Sequence, residues 1–196
     1  MSRISVIALL LLASCSREPD QPRESVPTTK PPEAASAPLP AVVPPEPGTP
    51  GSLPDERTPL SESPFAPTSA QGAGNVVQTY YALVAEGHYG EAWRLWTQGG
   101  QGSGMSADEF AASFAHYVSY GANIGKPGAI EGAAGSLFVT VPVQIYGRRK
   151  SGEEVHELGE ATLRRVNDVP GSTAEQREWH IFRIDLKATP PGPTSR

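Results

Sequence analysis

LFVTVPVQIY, residues 137–146, is the stretch that decides the fold. Leu137, Val139, Val141, Val143 and Ile145 alternate with Phe138, Thr140, Pro142, Gln144 and Tyr146. A period of two puts the first set on one face of a strand and the second on the other. Pro142 lacks an amide donor, so this strand is expected at a sheet edge or at a bulge. Downstream, Arg148 to Gly152 reads as a solvated turn into a strand over Val155–Arg165. A loop from Asn167 to Gln176 then precedes a last strand, Glu178–Leu186. Upstream, Val118–Glu131 reads as an extended strand interrupted by Lys126-Pro127-Gly128, and Gly132–Ser136 turns it into the central run.

Before residue 117 the period changes. Val76, Tyr80, Leu83 and Val77, Tyr81, Val84 recur at three- and four-residue steps, which predicts an amphipathic helix over Asn75–Glu86 with Asn75 as its cap. Tyr89, Ala92, Trp93 and Trp96 mark a second helix over Tyr89–Gln98, stopped by Gly99. Ser106-Ala107-Asp108-Glu109 is a capping box, with Ser at the cap and Glu three residues on. It opens a third helix with Phe110, Phe114 and Tyr117 along it. Three helices followed by four antiparallel strands is an α+β order, with the helices packed on one face of a curved sheet.

The start VVQTYYALVAEGHYGEAWRLW, the third helix and the strand series together resemble the nuclear-transport-factor-2-like superfamily of cone-shaped α+β domains. The resemblance covers about residues 75–187 and rests on element order and the aromatic start. It implies a cone enclosed between helices and sheet. It does not imply an activity, because that superfamily holds isomerases, dehydratases and cyclases beside catalytically silent domains.

The chain around this domain has another character. Residues 16–71 contain 15 prolines, four basic and eight acidic side chains, and scattered apolar residues without period. Such a stretch buries too little to offset the entropy of ordering, and is expected to be a disordered, semi-rigid spacer. Ahead of it, Arg3, the apolar run Ile4–Ala13 and the small residues before Cys15 form the layout of a secretory signal. This run of ten residues falls short of the about 20 that a spanning helix needs. Leu12-Ala13-Ser14-Cys15 resembles a bacterial lipobox, which implies cleavage after Ser14 and acylation of Cys15. Several acyl chains on one cysteine would anchor the protein to a bilayer. The expected layout is a signal peptide over 1–14, lipidated Cys15 and linker over 15–71, an α+β domain over 72–188, and a disordered tail over 189–196. Ser16 follows the cysteine, with no aspartate there; the resemblance to lipoproteins of this pattern implies transfer to the outer membrane, on its periplasmic face.

Several function classes are disfavoured on residues alone. Cys15 is the only cysteine, so the domain has no disulfide. Residues 72–188 carry ten basic and thirteen acidic side chains, a poor balance for binding nucleic acid. No Cys/His metal spacing or GxSxG turn occurs; His156-Glu157 lacks the second histidine of a zinc-protease helix, and Gly121–Lys126 is one spacer short of a phosphate loop. No cofactor is expected. One constellation remains: Tyr80, Trp93, Trp96, His116, Tyr117, Tyr120 and Trp179 fall on elements that would enclose the cone, with His180 and Asp185 nearby on the last strand. Large aromatics at helical spacing are usually core. Trp93 and Trp96 are therefore expected to fill the space between helices and sheet. Asp185 is expected to face solvent or a helix and to pair only poorly with Arg183. Without an acid–base pair at a working spacing, the reading is a non-catalytic module that meets an envelope protein or a cell-wall component. The alternatives are binding of a small hydrophobic or aromatic ligand in the cone cavity and, behind it, an isomerase- or dehydratase-type enzyme.

Overall fold

The computed structural model describes residues 39–55 and 64–190. The signal run, Cys15, the first part of the linker and the last residues of the tail lie outside the described residues. Among the described residues no helix is long and apolar enough to cross a membrane.

Among the described residues three α-helices precede the sheet: α1 (Ala70–Ala85), α2 (Tyr89–Arg94) and α3 (Ala107–Phe114). Five strands follow: β1 (Tyr117–Ile124), β2 (Glu131–Ala133), β3 (Ser136–Arg149), β4 (Glu154–Val166) and β5 (His180–Ala188). All pair antiparallel in the order β1-β3-β4-β5, and the short β2 also pairs with β3. This is the expected α+β architecture, with one strand more than the four expected. Val139, Val141, Val143 and Ile145 of β3, with Ala161 and Leu163 of β4 and Ile181 of β5, form the core face against the helices.

The element bounds differ from the sequence reading in instructive ways. α1 starts five residues early and is capped by Ser69, whose side chain accepts from Gly72 N–H, rather than by Asn75. Two glycines in the first turns hide this start, since glycine lowers helix propensity. α2 ends at Arg94. Leu95 to Thr97 instead exchange backbone hydrogen bonds with Ile181, through Ile181 N–H to Leu95 O and Thr97 N–H to Ile181 O, each 2.9 Å. Tyr117 opens β1 rather than closing α3. The expected strand 118–131 splits into β1 and β2 around Lys126-Pro127-Gly128.

Pro142 sits in β3, a strand paired on both sides, rather than at an edge. Its carbonyl accepts from Gly125 N–H at 2.8 Å. Its nitrogen therefore faces the same side, where β1 ends and β2 has not begun. The missing donor falls just beyond the end of β1 at Ile124, so it interrupts no bond within the β1–β3 ladder.

The largest departure is in the proline-rich stretch. Residues 40–54, expected inside a disordered linker ending at 71, lie as a strap on the sheet face opposite the core, and Ser52 and Leu53 are buried. Arg148 holds one end of it. Expected in a solvated turn, its guanidinium is instead buried and donates to Pro40 O (3.2 Å), Gly152 O (2.9 Å) and Glu154 (2.7 Å). Gln144 holds the other end, donating to Gly51 O at 3.4 Å while accepting from Asn123. The strap makes its order through these tertiary partners, which composition does not reveal. At the other terminus, Thr189, placed in the tail, still donates its N–H to His156 O at 2.8 Å.

Candidate functional site

The aromatic residues singled out by sequence do meet, but as packing. Tyr80 is buried and contacts Tyr81 edge-on at 4.8 Å between ring centroids, with Trp96 and Phe110 each at 6.2 Å. Tyr120 meets Phe114 at 5.3 Å, Tyr117 at 4.9 Å and stacks on Tyr81 at 6.4 Å. These rings interlock through the space between α1, α3 and β1. Such pairs add about 0.5–1.5 kcal/mol each beyond the area they bury. Trp93 and Trp96 are only partly buried, contrary to expectation. Trp93 lies over the backbone of Gly100, whose positive φ of 106° and close ring approach leave no room for a Cβ, and its Nε1 donates to Met105 O. Trp179 is buried at the other end of the sheet, donating Nε1–H to Ser69 O at 3.0 Å beneath the Arg165 guanidinium.

The polar candidates do not converge. His116 is exposed beside Tyr117 at the entry to β1, whereas His180 and Asp185 lie on β5, the opposite sheet edge. Asp185 pairs with its neighbour after all: Arg183 Nε–H donates to its carboxylate at 2.6 Å, both side chains being exposed. The shift of register between Thr162 and Leu163 turns both side chains away from the core face that Ile181 occupies, where uninterrupted alternation would have put them. Among the described residues no three His, Cys, Asp or Glu side chains gather to hold a metal ion.

Burial pushes the hydroxyls of Tyr80, Tyr81 and Tyr120 well above the usual phenol range, and Glu157 adds a smaller upward push to Tyr81 and Tyr120. Glu157 pairs in register with Ile145 and so shares its core-facing side. These phenols stay protonated at neutral pH; they can donate hydrogen bonds and cannot serve as bases. Tyr81 is notable because its buried hydroxyl has no hydrogen-bond partner among the described residues.

The open concavity is elsewhere. A groove of about 750 Å³ runs along the outer edge of β1. One wall is a face of α1, from Gln71 through Gly74, Gln78 and Ala82 to Ala85; the other is the strap, from Pro44 to Pro47 and at Leu53 and Pro54. Tyr81 lines it, as does Tyr146, whose ring lies across Gly121 so closely that a Cβ there would collide with it. Sequence reasoning missed this site. Its floor, Gly121–Gly125, carries no charge and no motif, and its second wall was read as linker.

The floor has one further property. Gly125 N–H donates to Pro142 O, so Gly125, Asn123 and Gly121 direct their backbone groups toward β3. Alternation then directs the N–H and C=O of Tyr120, Ala122 and Ile124 outward, and Ala122 and Ile124 among them line the groove. Among the described residues nothing pairs with them.

No protein-family model matches the chain, and no curated protein does either. Several solved structures are similar to it. A provisionally named aromatic ring hydroxylase of Novosphingobium aromaticivorans aligns at 16% identity over 64% of this chain and 96% of its own, with a TM-score of 0.46. A Kribbella flavida protein aligns at 13% identity over 66% of this chain and 96% of its own, with the same TM-score. A nuclear transport factor 2-like superfamily protein of Salmonella enterica serovar Typhimurium aligns at 12% identity over 64% of this chain and 93% of its own, with a TM-score of 0.42. None of these likenesses assigns a residue or a reaction to this chain.

Proposed function

We propose that this protein is an envelope lipoprotein whose folded domain is a non-catalytic interaction module, held at a distance from its membrane by lipidated Cys15 and the linker up to the strap. One observation carries the reading. Most of the aromatic constellation that would line a reactive cone is taken up in packing, while the open groove of about 750 Å³ lies at a sheet edge and has Glu46 and Lys126 as its charged lining residues. The groove has the slot shape of a surface that recognises a partner by fit. The lipobox resemblance supports the address, and the chain length between Cys15 and Pro40 supports the spacing.

The test separates tether, groove and titratable groups. Deleting residues 20–38 should impair the cellular role and leave the domain folded. Ala85→Trp, which fills the groove from an exposed helix position, should impair it likewise. Ala substitutions of His116, His180 and Asp185 should leave it intact, and Cys15→Ser should release the protein from membranes. Loss of the role in one of the three titratable variants, with the domain still folded and the linker deletion silent, would replace this reading with an enzyme or cone-ligand one.

A further inference from the structure

We propose that the β1 groove binds an extended polypeptide segment of a partner protein by strand addition, extending the sheet by one strand between α1 and the strap. The inference deepens the interaction-module reading and rests on it.

Sheet edges are hazards, and folded proteins blunt them with charges, prolines, bulges or covers. The stretch Tyr120–Ile124 uses none of these: it reads Tyr-Gly-Ala-Asn-Ile, with Lys126 and Pro127 only after the strand has ended. It nevertheless presents an alternating row of free donors and acceptors at Tyr120, Ala122 and Ile124. The two walls explain how such an edge can be kept. A slot bounded by a helix and a proline strap excludes a second copy of this domain, whose own walls would collide with them, yet admits one bare strand. The six residues from Tyr120 to Gly125 span about 20 Å at ~3.3 Å per residue. That matches a segment of about six residues.

The chemistry of the slot selects the occupant further. An added strand would direct alternate side chains to the two walls. The α1 wall offers the small, exposed Ala82 and Ala85 and leaves room for large apolar groups; the strap wall offers proline rings. Charged side chains in the lining are confined to Glu46 and Lys126. Complementarity in charge and hydrogen bonding therefore favours a neutral segment, apolar at alternate positions and free of proline where it must donate. A second observation points the same way. Tyr81, only 4% exposed, lines the groove with part of its side chain, and its buried hydroxyl has no partner among the described residues. A buried polar group of this kind costs stability until something bonds to it. Main-chain pairing would supply affinity and the wall pockets specificity, as in other strand-addition sites.

The probe is an array of acetylated, amidated decapeptides, uncharged and apolar at every second position, presented to the full chain in detergent. For a peptide that binds, two series are made with backbone N-methyl groups on one or the other set of alternate amides. Strand addition predicts that one series loses at least tenfold in affinity and the other retains it. It also predicts at least a tenfold loss in Ala122→Pro, which removes one outward donor and no β3 partner. Ala82→Trp blocks the groove without touching the strand, and should act likewise even if Ala122→Pro fails to fold. Absence of binding across the array, equal effects of the two N-methyl series, or undiminished binding to Ala82→Trp would each overturn the inference. The interaction-module reading would survive all three, since the titratable variants and the linker deletion decide that reading separately.

Discussion

The two edges of the sheet are built differently. β5 is closed at its start by Leu95–Thr97, which take both backbone groups of Ile181, and it carries Arg183, Asp185 and Lys187 further along. β1 has neither cover nor charge over Tyr120–Ile124, only walls set to either side of it. One edge refuses a neighbour by occupation and by charge; the other refuses a sheet and leaves space for a strand. The difference teaches that an edge can be protected by shape as well as by residue type, and that shape-protected edges remain able to bind.

The comparison breaks most sharply at a single pair of neighbours. Asn123 directs its backbone to β3 and bonds Gln144 through its side chain at 3.1 Å, whereas Ala122 directs its backbone outward. Asn123→Pro should cost about 3 kcal/mol or more, since it removes a ladder bond and a side-chain bond. Ala122→Pro, facing the groove, should cost about 1 kcal/mol or less. Urea midpoints of the two variants measure this directly, and equal losses would mean that the parity assigned to β1 is wrong.

A second effect is confined to the β1 side, where the buried phenols cluster. Unfolded tyrosines ionise near pH 10, while burial keeps Tyr80, Tyr81 and Tyr120 protonated to higher pH in the fold. The folded state then binds more protons than the unfolded one above about pH 10, so stability falls as pH rises past that point. Urea midpoints should be flat from about pH 7 to 9 and drop by pH 11. Tyr81→Phe should lessen that drop and be close to neutral at pH 7, because the lost hydroxyl has no partner to strand. Retention of the full drop in Tyr81→Phe would remove Tyr81 from the buried set.

On the other edge, Thr97 already has φ −52° and ψ 152°, a conformation open to proline. Thr97→Pro should therefore remove only its bond to Ile181 O and cost about 1 kcal/mol, while raising hydrogen exchange at the Ile181 amide. The smallest expected change in stability comes from the exposed charges. Replacing Arg183, Asp185 and Lys187 together by Thr should shift stability by about 1 kcal/mol or less. The same change should promote self-association visible in light scattering, because it strips the β5 edge of its charges.

How far these edges could be read in advance depends on what each signal is made of. The period-two run of β3, the capping box at Ser106–Glu109 and the aromatic face of α1 are local, and they located the elements to within a few residues. The start of α1 was hidden by Gly72 and Gly74, and the break at Pro127 was read as an interruption of one strand. Strand order is not local at all. That β3 lies inside, that Pro142 is tolerated there, and that β1 has a free edge follow from pairing, which periodicity does not encode. The strap is the clearest case: Pro40 and Gly51 are held because Arg148 and Gln144 stand opposite them, and proline content alone reads as spacer. Of the candidate residues, the aromatic ones were found and their role as core was foreseen for Tyr80. The groove was invisible because both its walls and its floor consist of unremarkable residues.

Arg148 gives the strap a mechanical meaning. Any pull exerted through the chain preceding Pro40 reaches the domain at the Pro40 carbonyl, which one guanidinium donor holds. Load applied there acts on the strap bonds in sequence, Pro40 before Gly51, so the strap would peel rather than shear. Peeling would begin at the end nearer Pro44–Pro47 and strip one wall from the groove while β1, β3 and α1 stay in place. In the proposed tethered form, a pull on the chain before Pro40 and the accessibility of the β1 edge would be mechanically coupled through one buried arginine.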